Sequence, residues 1–218
     1  RGTTRRAGTL TSLIMLLLMA TPGFAACVKE AKAIKLQVDN WTGHGLELKT
    51  QYDRTLALLQ QENNCPLALA QLSRIVRKAG YIKGHQYRPE NRAKSRQLAE
   101  QAVELDPTCY LCQWELAHVE LYDGNARGFE ATLPQLKQTE KTPLDRIYTQ
   151  AVEANFQLLV KKDHARAGAI ADAITGDDER FIHLYKLDIQ KDVYKHMGKL
   201  DRVDALFQEE LKLKPTAW

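Results

Sequence analysis

From Leu46 onward, apolar residues return at every third or fourth position, and short breaks of Gly, Pro and Asn cut that rhythm into helix-length pieces. Nothing from Val28 to Trp218 keeps up the two-residue alternation of a half-buried strand. The chain is therefore expected to be all-α. Leu46, Leu48, Tyr52, Leu56 and Leu59 form one predicted apolar face. Asn63-Asn64-Cys65-Pro66 ends that helix and opens a second, which stops at Gly80. Tyr81–Pro89 reads as a polar loop, and Val28–Gly45 is weakly patterned. Later breaks at Pro107, Gly124-Asn125, Lys161-Lys162-Asp163 and Gly198 separate further helices.

From Asn91 these helices come in pairs. One pair spans Ser95–Pro107 and Cys109–Asp123, with Leu116 and Ala117 ahead of Gly124; a weaker pair spans Leu144–Val160 and His164–Ile174. At the far end Tyr194, Gly198, Phe207 and Pro215 stand around a last helix. This pattern resembles the tetratricopeptide repeat (TPR), a helix–turn–helix unit. The resemblance implies a right-handed α-solenoid of stacked antiparallel helix pairs over residues 91–218. A helix pair and loop at 46–90 and an N-terminal segment at 27–45 precede it.

In a TPR the first helix of each pair lines a concave groove. By that resemblance the groove falls on Leu111, Trp114, His118, Leu121 and Tyr122, then on Val152, Phe156 and Leu159. In the last unit it falls on Tyr185, Asp188, Asp192 and Lys195. Such a groove would seat a partner's peptide or helix. The same stripe is equally compatible with N-terminal helices folding back to fill it.

Residues 1–26 read as a cleaved secretory signal. Arg1, Arg5 and Arg6 form a basic start, Leu13–Ala20 an apolar stretch, and Thr21–Ala26 a zone of small residues. Cleavage after Ala25 would release a soluble periplasmic chain. Phe24-Ala25-Ala26-Cys27 also resembles a bacterial lipobox, in which Cys27 would carry a lipid and hold the protein at the outer membrane. The sequence holds 31 Lys+Arg against 27 Asp+Glu, and three of those Arg lie in the leader. The remainder is close to neutral, so no nucleic-acid partner is expected.

Cys109-Tyr110-Leu111-Cys112 is the chemical candidate. It sits at a helix start, where the dipole lowers a thiol's pKa. The strand–helix setting of a thioredoxin-like site is missing, however, and Gln113 excludes c-type haem. In an exported chain the simpler expectation is a disulfide, within the pair or from one member to Cys65. Zinc would need two more ligands, and Cys65 and His118 have no recognised spacing. The six histidines form no hydrolytic motif. No catalytic residues, metal or cofactor are expected.

Charge is segregated. Gln71–Gln97 carries Arg74, Arg77, Lys78, Lys83, Arg88, Arg92, Lys94 and Arg96 against Glu90 alone. Leu98–Glu130 carries Glu100, Glu104, Asp106, Glu115, Glu120, Asp123 and Glu130 against Arg127 alone. The blocks would compensate each other between stacked units, or the basic one would face an acidic partner or phospholipid headgroups. The functional expectation is a non-enzymatic adaptor that docks another envelope protein. The alternatives are a thiol–disulfide protein using Cys109 and Cys112, or a binder of small hydrophobic molecules.

Overall fold

A computed structural model describes residues 22–39, 41, 43–175 and 180–213. Among these the fold is all-α. In chain order the helices are α1 (Pro22–Asp39), α2 (Gly45–Gln61), α3 (Pro66–Ala79), α4 (Pro89–Leu105), α5 (Tyr110–Tyr122) and α6 (Ala126–Thr139). They continue as α7 (Pro143–Phe156), extended by a π-type turn (Gln157–Lys161), then α8 (His164–Asp172), α9 (Arg180–His196) and α10 (Leu200–Leu213). A small antiparallel ribbon, β1 (Tyr81–Lys83) and β2 (Gln86–Tyr87), stands between α3 and α4.

The breaks at Pro66, Gly124 and Gly198 are those expected of the sequence, and Pro89 and Pro143 add two more of the same kind. Pro66, Pro89 and Pro143 open helices, where a missing N–H costs nothing. Thr142 and Asp145 close a reciprocal capping box on α7. Gly124 and Gly198 turn the chain at φ of 68° and 69°, a conformation that side chains resist.

The odd-numbered helices pack on one another in succession: α1 on α3, α3 on α5, α5 on α7, α7 on α9. Each even-numbered helix packs beside a sequence neighbour. Alanines without accessible surface, among them Ala68, Ala99, Ala102 and Ala117, allow close approach. Between α3 and α4 the approach is tighter still. A Cβ on Gly80 would fall 2.3 Å from that of Asn91, whose amide donates to the Val76 carbonyl at 2.8 Å.

Three expectations are corrected. Segment 27–45 is mostly helix: Cys27, Ala31, Ile34 and Val38 form a fully buried stripe along α1. The Tyr81–Pro89 loop contains the ribbon. On α2 the buried positions are Leu48, Thr55 and Leu58, while Leu46 and Tyr52 point outward. Most of the expected leader, residues 1–21, lies outside the described residues. So does the side chain of Tyr185.

Candidate interaction surface

The eight proposed groove residues on α5, α7 and the π turn do come together, but as core. Trp114, His118, Leu121, Val152 and Phe156 are buried, and Leu111, Tyr122 and Leu159 are partly so. The layer is closed from its N-terminal side. Arg74 of α3 lies 5.1 Å from the Trp114 ring, and Arg77 lies 5.3 Å from that of Tyr122. Tyr87 of the ribbon packs on Tyr122 at 4.7 Å. Deeper in, Phe129 and Phe156 stack at 4.0 Å. Trp114 is thus not accessible to a partner here. On α9 the outward positions Asp188 and Lys195 are exposed, and Asp192 faces His85 of the ribbon at 3.8 Å.

The two charge blocks neutralise each other across neighbouring helices. Arg77 makes a two-pronged pair with Glu115, at 2.9 and 2.8 Å, with both side chains buried. Ser73 adds a bond to the same carboxylate. Arg92 meets Asp123, and Arg96 meets Glu100, Glu120 and Asp123. Burial works against the Arg77 charge, and Glu115 more than offsets it, so the guanidinium is held more firmly protonated than usual. His118 lies the other way. Burial first, and then the Arg77 charge, hold it well below its ordinary pKa, although it bonds the Trp114 carbonyl.

The cysteines form two disulfides. Cys109 joins Cys112 with 5.2 Å between Cα atoms, and Cys65 joins Cys27 at 6.4 Å rather than either member of the pair. Cys109 caps α5, its sulfur accepting the Cys112 N–H at 3.2 Å. A thioether on Cys27 would consume the sulfur used by Cys65, so lipid and disulfide exclude each other. Among the described residues no group of His, Cys, Asp and Glu is placed to hold a metal ion, and no helix is long and apolar enough to cross a membrane.

The open surface is elsewhere. A cleft of about 580 Å³ lies between α2, the end of α3 and β1. Buried Leu48 and Ile75 line its depth, and Trp41, Tyr52 and Tyr81 add aromatic lining. The indole N–H of Trp41 donates to the His44 carbonyl at 2.8 Å, which fixes the ring. Tyr81 in its lining is 49% exposed, and the chain neighbours of lining residues, Leu46 and Ile82, are 78% and 54% exposed. Lys78 is half-buried against Trp41, its ammonium 5.1 Å from the ring. Burial, then Arg74 and Arg77, push Lys78 down to about 8.

Of these residues the sequence predicts Leu46, Leu48 and Tyr52 only as a helix's apolar face and Lys78 only as part of a basic block, while Trp41 and Tyr81 stand in a weakly patterned stretch and a loop. The available signal was local: Tyr81-Ile82-Lys83 and Gln86-Tyr87 flank a Gly in the manner of a hairpin. Compared with protein-family models and with curated proteins, the chain matches none.

Proposed function

We propose that this chain is an exported, non-enzymatic adaptor of the TPR type, which docks another protein of a bacterial cell envelope. The observation that carries this reading is an open apolar cleft in which exposed Tyr52 and Tyr81 stand over buried Leu48 and Ile75, with exposed Leu46 and Ile82 next to lining residues in the chain. Apolar residues gathered at one such surface, away from the core, mark an interaction site more often than chance exposure does. The succession of odd-numbered helices, each packed on the next, supports a solenoid of stacked helices. Two disulfides fit an oxidising compartment such as the periplasm. The Cys27–Cys65 bond favours the soluble form over an outer-membrane anchor.

The docking surface we assign is therefore the α2–β1 corner in place of the filled groove. A photocrosslinking residue at Ile82, in the full chain in its native cells, should give discrete adducts with an identified envelope protein. The same residue at exposed Glu104 should give none. Equal adducts from both sites, or none from Ile82, would remove the assignment.

A second reading, thiol–disulfide exchange, has one observation in its favour: a partly exposed Cys109 at a helix start, bonded to a buried Cys112. Against it, Cys109 packs into the helical core beside Ala70 and Ala102, with no sheet beneath it. The adaptor reading is preferred.

A further inference from the structure

The chemistry of the cleft narrows what it can hold. Its lining is apolar and aromatic, and its charged groups are Lys49, Asp53 and Lys78. Lys49 and Asp53 pair with each other at 2.6 Å and cancel in net charge. Lys78 has no ion pair among the described residues. Its cationic neighbours already have carboxylates: Arg77 has Glu115, and Arg74 shares Asp39 with Lys35. The cleft therefore holds one uncompensated cation against an aromatic wall. A second feature has the same sign. Gly45, the first residue of α2, also lines the cleft, and the N-cap His44 supplies no side-chain hydrogen bond to the first turn. The positive end of the α2 dipole thus meets the same space.

Resting on the adaptor reading, we propose that this cleft seats the C-terminal residue of a partner polypeptide. Its apolar side chain packs among Trp41, Leu48, Ile75 and Tyr81, and its free carboxylate meets Lys78. Reach decides for a chain end. The ammonium stands 5.1 Å from the Trp41 centroid, so anion and apolar group must come from almost the same point. A terminal residue carries both on one Cα, whereas an internal Asp or Glu carries the carboxylate without the apolar group.

The surroundings favour a polypeptide over a free fatty acid. Among the described residues β1 pairs with β2 alone, leaving its other edge without a strand partner, and its Tyr81 lines the cleft beside the exposed Ile82 in the chain. An extended segment has somewhere to lie as it leaves the pocket. Carboxylate binding would also hold the proton on Lys78, so affinity should fall as pH rises past about 8.

The test uses the full, disulfide-bonded chain and two fluorescein-labelled hexapeptides, Gly-Ser-Gly-Ala-Ala-Phe as free acid and as amide, followed by anisotropy. The acid should bind at least about tenfold more tightly than the amide. Lys78→Met should erase that difference while leaving the far-ultraviolet spectrum unchanged. Lys78→Arg should retain the preference for the acid and remove the loss of affinity above pH 8. Equal binding of acid and amide would overturn the proposal, as would undiminished acid binding by Lys78→Met or no binding up to about 1 mM. Decanoate binding without peptide binding would also overturn it, making the occupant a lipid. In each case crosslinking at Ile82 reports separately on the adaptor reading.

Discussion

Arg77 and Glu115 come from stretches of opposite charge that look like solvated faces, yet both side chains are buried and bonded at two points. An ion pair so placed contributes little net stability, but half of it is costly, because the survivor keeps its charge without its partner. Glu115→Gln should lower the unfolding free energy by about 3–5 kcal/mol in urea titrations. The double replacement Arg77→Met with Glu115→Leu should recover most of that loss. His118 sets a pH limit beside the pair. Its folded pKa is depressed by burial and by Arg77, while in the unfolded chain it titrates normally. Below about pH 6.5 the unfolded state takes up a proton that the folded state refuses, so stability falls with falling pH. Urea midpoints taken from pH 8 to 5 should fall more steeply for the native chain than for His118→Gln, by at most about 1.4 kcal/mol per pH unit.

At the level of elements, α1 shows how a helix can hide in plain composition. Cys27, Ala31, Ile34 and Val38 have helical spacing and no exposure. Two of the four are small and the outward Leu36 breaks the pattern, so the stripe reads as weak. What fixes α1 is its bond from Cys27 to Cys65, the cap of α3, together with the Arg74–Asp39 pair. The two disulfides should differ in worth for a chain-statistical reason. One joins residues 38 apart and the other residues 3 apart. Loop-closure entropy then assigns about 4 kcal/mol to the long link and about 2 kcal/mol to the short one. Urea unfolding of Cys27→Ser/Cys65→Ser and of Cys109→Ser/Cys112→Ser should show that order. An equal or inverted order would mean that strain or unfolded-state structure dominates.

At the scale of the molecule, the helical class and most helix ends were legible because they depend on local chemistry: prolines in first turns, glycines at positive φ, and apolar spacing of three and four. The proposed docking surface was not, since it depends on which of two apolar faces a helix turns inward. Leu46 and Tyr52 share a periodic stripe with Leu48, and only the placement of α1 and α3 decides that Leu48 goes in while the others stay out. For the groove residues the sequence left two readings open, and the structure shows the filled one. Spacing gathered Trp114, His118 and Phe156 on one side, but it carried no information about Arg74 and the ribbon lying over them. The ribbon also has a mechanical consequence. Arrays in which each helix pair touches only its neighbours fray from an end, pair by pair. Here His85, near the ribbon's tip, rests on Tyr122 of α5 and faces Asp192 and His196 of α9. α9 is thereby tied back to the middle of the stack, a keystone joint rather than the last rung of a ladder. Loosening the C-terminal helices therefore also gives up a contact made by the N-terminal half, worth at most about 1 kcal/mol.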